Sequence, residues 1–282
     1  MAFRSVRFLV FAVAIVLVVL PFVSVVSTSL SDQETLNRAG GFVLWTNSPT
    51  LDSYRQVFDG GIVTRALLVS ATVTAVGTAI SVSATIGLAF GLSRPKSPGS
   101  KPILMMVLFT LLFSPGLIPS YLMVKQLGLI DSYWALILPV AVNAFNVIVV
   151  RSFFMDLPQE LIDSARIDGA TEWKILTRIT LPLSRAAIAV VSLFYGVGYW
   201  NAFFNAMLYL NDAAKWPLQL VLRQYAINGN AFDPAGSQGF VPPPQQAMQM
   251  AVLVVSIVPV IVVYPFLQKH FAKGMLTGAV KG

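Results

Sequence analysis

The 282-residue chain is 56% apolar and only 11% charged, with a mean hydropathy of +0.75. A soluble domain carries roughly 25% charged residues, so this chain is too poor in charge to cover itself for water, and lipid is its solvent. Its net charge of +7 lies in short gaps between apolar runs, the pattern of membrane topology and not of a phosphate-binding face, and the absence of cysteine excludes a disulfide framework, a thiol nucleophile and a zinc–thiolate site.

Segments of about 20 apolar residues can cross a hydrocarbon core of roughly 30 Å as helices. Six are found, at 8–30, 66–92, 103–123, 133–150, 186–210 and 248–267, and none contains Asp, Glu, Lys, Arg or His. The first follows a basic start, "MAFRSVRFLVF", but its apolar run exceeds the core of a signal peptide, so an uncleaved span is expected. The gap 31–65 follows it. The second span, rich in Ser, Thr, Ala and Gly with Gly87 and Gly91 in small-xxx-small register, is expected to pack closely in a bundle. Pro115 and Pro119 in the third span, Pro139 in the fourth, and Pro259 and Pro265 in the sixth would free backbone carbonyls, so kinked helices are expected. The fourth span also offers Asn143 and Asn146.

Between the fourth and fifth spans lies "DSARIDGATEWKILTRITLP" at 163–182, charged yet helical in pattern. Pro158 suits a first helical turn, with Glu160 close behind at the positive helix end. Leu161, Ile162, Ala165 and Ile167 form the apolar set until Gly169 permits a sharp turn. A second short helix with Ala170, Trp173 and Leu176 on one face follows, and Pro182 is expected to stop it. Two helices joined by a turn make a rigid knob. By residue type alone, an interfacial amphipathic stiffener would also account for it.

The fifth span supplies "YGVGYWNAFFN", in which Tyr195, Tyr199, Trp200, Asn201 and Asn205 join Asn143 and Asn146 as candidate pathway residues. Aromatic faces with amides are the groups that recognise sugars. Asn201 and Asn205 are spaced to share a helix face, as are Tyr195 and Tyr199. Belt or helix-packing roles are the alternative for the tyrosines. The gap 211–247, with "NGNAFDPAGSQGFVPPPQQ", is dense in turn formers and reads as a long functional loop. After the last span, Lys269, Lys273 and Lys281 suit anionic headgroups, and the lone His270 beside them reads as an interfacial residue.

With the N-terminus inside, thirteen of the 19 lysines and arginines fall in inner segments, so the positive-inside rule places both termini and the knob in the cytoplasm. No G-x4-G-K-[ST] loop for ATP phosphates occurs, nor an H-E-x-x-H pair or any equipped nucleophile, so no catalytic and no metal-ligating residues are assigned. A secondary transporter would need an intramembrane carboxylate or an inverted repeat, and the spans hold no such charge. A structural scaffold would leave the spacing in the knob unexplained.

That spacing resembles the EAA loop of ABC importer permeases, E-A-A-x3-G-x9-I-x-L-P, in its carbohydrate-uptake branch. Ala165, Gly169, Ile179, Leu181 and Pro182 match in register, while Asp163 replaces Glu and Ser164 replaces Ala. The resemblance implies an all-α membrane protein of six transmembrane helices, with a cytoplasmic two-helix coupling loop at 156–182 between the fourth and fifth. It implies that Asp163, Ala165, Asp168, Gly169, Ala170, Thr171, Glu172 and Trp173 face a separate ATPase, Asp163 pairing with one of its basic residues. The implied partners are a second homologous permease subunit, a dimer of ATP-binding subunits that use ATP and Mg, an extracytoplasmic solute-binding protein reached by the loop 211–247, and lipid. No cofactor is implied on this chain, and no nucleic acid. The implied place is the bacterial cytoplasmic membrane, and the C-terminal tail, like those of sugar-type permeases, is implied to reach toward the ATPase. The implied cargo is a sugar or oligosaccharide, with a peptide or inorganic anion as the alternative within the family.

Overall fold

The computed structural model describes residues 2–59, 61–94, 97–228 and 245–279, with side chains described only within 6–225 and 245–265. The described residues are helical, without strands. In chain order the α-helices are α1 (Ala2–Ser29), α2 (Gln33–Ala39), α3 (Asp52–Asp59), α4 (Ile62–Ser93), α5 (Ser100–Leu112), α6 (Leu117–Gln126), α7 (Trp134–Ile137) and α8 (Ala144–Met155). They continue as α9 (Gln159–Ile167), α10 (Glu172–Ile175), α11 (Leu181–Leu183), α12 (Arg185–Trp200), α13 (Phe203–Tyr209), α14 (Leu218–Asn228) and α15 (Gln245–Ala279). A 3₁₀ turn, Leu138–Val140, follows α7, and a π-helical turn, Leu176–Thr180, joins α10 to α11.

The chain divides into two compact units, Met1–Leu68 with Pro217–Val260, and Val69–Trp216 with Ile261–Gly282. In the first, the end of α1 is tied to the segment after it: Thr50 N–H donates to the Leu30 carbonyl (2.8 Å), and the Ser29 and Tyr54 hydroxyls share a 2.8 Å hydrogen bond. Asp32 caps α2 by accepting from Thr35 N–H at 2.9 Å, and Leu36 of that helix packs with Val43 and Ala247. In the second unit, Leu92, Val107 and Val147 from α4, α5 and α8 form a core with Leu88, Leu104 and Ala144 packed against it. Arg151 Nε donates to the Leu92 carbonyl at 3.0 Å, satisfying one of the carbonyls left open at the end of α4.

Of the six expected spans, three contain single helices long and apolar enough to cross a membrane: Val6–Ser29, Ile62–Ser93 and Gln245–Pro265. The other three are broken. In the third, α5 and α6 are separated by Phe113 to Gly116, where Pro115 precedes a glycine with φ of +82°; α6 then runs through Pro119 in its first turn. The fourth bends by 52° between Trp134–Val140 and Ala144–Met155, with Pro139 in the 3₁₀ turn. In the fifth, α12 ends at Trp200 and α13 begins at Phe203. Pro259 and Pro265 do not end α15.

Candidate functional site

The knob is built as two helices with a defined turn. Helix α9 ends in a Schellman motif: Gly169, with φ of +75°, donates its N–H to the Arg166 carbonyl (3.0 Å), and Ala170 donates to that of Ala165 (2.9 Å). Glycine is favoured there by φ alone, because a Cβ would meet nothing within 4 Å. Thr171 caps the second helix, accepting from Lys174 N–H at 3.4 Å. Asp168 closes α9, donating its N–H to the Ser164 carbonyl, with an exposed side chain.

Three expectations for the knob are corrected. Ile167 is not on the packed face: Ile162 is buried, whereas Ile167 is 86% exposed, because five residues at 3.6 per turn set it about 140° around the helix from Ile162. On the second helix Ile175 and Leu176 are buried while Trp173 is 71% exposed, so Trp173 is not part of the buried set. Nor does Pro182 stop that helix. The chain passes through the π-helical turn into α11, where Pro182 takes a first-turn position, and bends by 83° at Ser184 into α12.

The charges of the knob are shared internally. Asp163 lies 3.5 Å from Arg166, whose guanidinium also donates to Glu172 Oε1 at 2.8 and 3.2 Å. Hydrogen bonding to Glu172 holds the Arg166 guanidinium above its ordinary range. Glu172 Oε2 is 3.4 Å from Arg94, which follows α4 and lies over the Phe90 ring at 4.1 Å. Arg94 and Arg166 were not singled out in the sequence, because nothing local marks a contact between position 94 and position 172.

The second feature is a groove of about 370 Å³ between the bent fourth segment and α12–α13. Five of the seven candidate pathway residues line it, namely Asn143, Asn146, Tyr195, Tyr199 and Asn205, together with Phe145 and Phe194. Trp200, which is buried, and Asn201, which is exposed, do not. The break at 201–202 removes Asn201 from the face of Asn205, and its amide donates back to the Val197 carbonyl at 2.9 Å.

The tyrosines pin three elements. Tyr199 O–H donates to the Ile137 carbonyl (3.3 Å) and is 2.7 Å from Ser81 Oγ; Tyr195 O–H accepts from Asn143 N–H (3.0 Å) and is 2.7 Å from Thr85 Oγ1. Two hydroxyls four apart on α4 thus meet two tyrosines four apart on α12. Asn143 itself caps α8, its Oδ1 accepting from Asn146 N–H at 3.2 Å. Asn205 makes no side-chain hydrogen bond among the described residues, so its amide is available to a solute.

Beyond the groove, Asp131, in the left-handed region with φ of +60°, clamps the chain after α13. Its carboxylate accepts from the backbone N–H groups of Asn211 (3.1 Å) and Asp212 (3.0 Å) and from Lys215 Nζ (2.6 Å). These bonds hold Asp131 below the usual carboxylate range, led by the one from Lys215, and hold Lys215 above the usual amine range. A polar groove in the first unit is lined by Gln33, Asn37, Gln245, Gln246 and Gln249. Among the described residues no cluster of three or more metal-ligating side chains forms.

Residues 83–277, which include both the knob and the groove, match the family "Binding-protein-dependent transport system inner membrane component". The chain belongs to this family. A permease of this family is a transport component, not an enzyme, and the helical fold with several apolar helices is that of a multi-pass membrane protein. Among curated relatives, the polygalacturonan/rhamnogalacturonan transport system permease protein YtcP of Bacillus subtilis is 49% identical, over 94% of this chain and 93% of its own. Protein LplC of the same organism is 47% identical over 94% and 90%. Among solved structures, a chain of a bacterial ABC transporter involved in the import of the acidic polysaccharide alginate superposes with a TM-score of 0.90 at 28% identity, covering 96% of both chains. As an ABC importer permease, this chain has the family's helical fold, and the resemblance read from the EAA-like spacing holds. Outside the described residues lie 229–244 of the long loop expected at 211–247, Lys281, and the side chains of Lys269, His270 and Lys273.

Proposed function

We propose that this chain forms half of the translocation pathway of an ATP-driven, binding-protein-dependent importer of oligosaccharides, fragments of polygalacturonan- or rhamnogalacturonan-type polysaccharides in particular. The observation that carries the substrate class is the 49% identity, over nearly the whole of both chains, to a polygalacturonan/rhamnogalacturonan permease. The groove agrees with an oligosaccharide: amides and aromatic rings suit sugar hydroxyls and ring faces. In this reading Asn205, Asn146, Phe145 and Phe194 meet the sugar.

The chain crosses the bacterial cytoplasmic membrane six times, with broken third, fourth and fifth crossings and both termini in the cytoplasm. A second permease subunit completes the pathway. The knob docks on an ATPase dimer, which binds ATP and Mg, with exposed Trp173 and Ile167 as its apolar anchors and Asp163, Asp168, Ala170 and Thr171 around them. The loops 31–65 and 211–247 face the solute-binding protein. The test is reconstitution of the four components in proteoliposomes with labelled oligogalacturonides inside and outside the binding protein's capacity. ATP-dependent uptake is expected; uptake of glycerol phosphate or peptide instead would overturn the assignment. Topology is tested by Ser237→Cys, which is labelled by an impermeant thiol reagent in intact spheroplasts if the loop is outside.

A further inference from the structure

We propose that Arg94 is a positioning residue through which the knob moves α4, with Glu172 as its contact on the knob. The proposal rests on the reading that an ATPase docks there, and not on which solute is carried.

Arg94 is the residue after α4, and its side chain is only 12% exposed. A buried guanidinium normally has its donors satisfied. Here Nε and Nη2 are buried without a hydrogen-bond partner among the described residues, and the approach of Nε to Glu172 Oε2 is 3.4 Å, against about 2.8 Å for a charge-assisted hydrogen bond. The contact is therefore loose: Nε, the atom that faces Glu172, is too far for a good hydrogen bond, and Nη2 is idle as well. Glu172 is meanwhile held by its other oxygen to Arg166, the knob's own cation, which Asp163 also engages. One carboxylate is thus shared between a cation that moves with the knob and a cation that terminates α4.

A small shift of α10 toward α4 would convert the 3.4 Å ion pair into a hydrogen bond and engage the idle donors. Movement the other way would leave Glu172 with Arg166 alone. From Arg94 the helix runs without a break past Thr85 to Ser81, about 20 Å at 1.5 Å per residue. There it is bonded to Tyr195 and Tyr199, which line the groove. The covalent route from knob to groove passes instead through a π-helical turn and an 83° bend at Ser184, a less rigid joint. Helix α4 is the stiffer connection, and Arg94 is its handle.

The test uses the complete complex carrying Asn205→Cys as reporter, in a chain with no other cysteine. The rate of thiol labelling is read with and without ATP and vanadate, alongside co-purification of the ATPase. In the reporter background ATP should change the rate at least about fivefold. With Arg94→Met the change should fall below about twofold while the ATPase still co-purifies, with Glu172→Gln it should fall likewise in the complexes that retain the ATPase, and the double variant should be no worse than either single one. Arg94→Lys keeps the charge but lacks Nε and Nη2 and should give an intermediate response. If the single variants keep the full response, or if their losses multiply in the double variant, the pair does not carry the coupling. If Arg94→Met does not assemble, Arg94→Lys with Glu172→Gln decides by the same criteria. A reporter background that ignores ATP while the ATPase co-purifies overturns the coupling route itself. One that never captures an ATPase overturns the docking reading beneath it.

Discussion

Gly77 of α4 lies against the ring of Tyr199 on α12, so close that a Cβ on the glycine would be 2.8 Å from Cζ and 2.9 Å from Cε2. The contact sits one turn from the Ser81–Tyr199 hydrogen bond, so ring and hydroxyl are held by the same helix. Gly77→Ala should force the ring toward the groove and cost about 1–3 kcal/mol, as overpacking does. Tyr199→Phe, which keeps the ring and strands the Ser81 hydroxyl, should cost about 1 kcal/mol. Thermal unfolding midpoints of the detergent-purified complex check the order, with Gly77→Ala the lower.

The groove asparagines separate by role. Asn143→Ala removes the cap of α8 and should lower stability by about 1 kcal/mol, whereas Asn143→Asp keeps an acceptor and should recover most of it. Asn205→Leu should leave the midpoint nearly unchanged and raise KM for uptake, because its amide serves no helix. Equal effects of the two substitutions on the midpoint would contradict this division.

At the knob, Gly169→Asn should retain most uptake, since asparagine tolerates the left-handed region and space is open there, while Gly169→Val should lose it through strain on the order of 1–2 kcal/mol. Trp173→Ala should weaken capture of the ATPase by about 2 kcal/mol or more, roughly 30-fold, without altering membrane levels. Pull-down of the ATPase at graded concentrations measures both.

The clamp at Asp131 sets a pH window. Its folded-state value is depressed, so its contribution is present above the ordinary carboxylate value of about 3.9 and is lost as pH falls through the folded value. Lys215 is raised, so its share is complete below about 10.4 and is lost only as pH rises through its folded value. Asp131→Asn should therefore lower the unfolding midpoint at pH 7, and the gap from the unmodified chain should close on acidification below the carboxylate range. A gap that persists unchanged in acid would remove the ion pair as its cause.

How much was legible in the sequence differs between the two candidate sites. The knob announced itself locally: Pro158, Gly169 and Thr171 act through their own backbone or their nearest neighbours, and the Schellman turn and cap are contacts within five residues. The groove did not. The asparagines and tyrosines were visible as residue types, but the partners of the tyrosines stand 110 and 118 positions away on α4, and no local pattern pairs Ser81 with Tyr199 or Thr85 with Tyr195.

By itself the sequence determined that the chain lives in lipid, that it is helical, where its apolar segments and the charged knob fall, and that it carries no phosphate-binding loop. Those properties are sums over residues or contacts along one helix. Only the tertiary structure decided which spans break, that Glu172 is shared between Arg166 and Arg94, and that Asn201 leaves the groove while Asn205 stays. Hydropathy measures transfer into lipid and is indifferent to whether a helix is whole. A helix can break inside a membrane only where the backbone groups it frees find partners. In the fourth segment those partners are residues of α12: Tyr199 takes the Ile137 carbonyl and Tyr195 the Asn143 N–H, across more than fifty residues of chain.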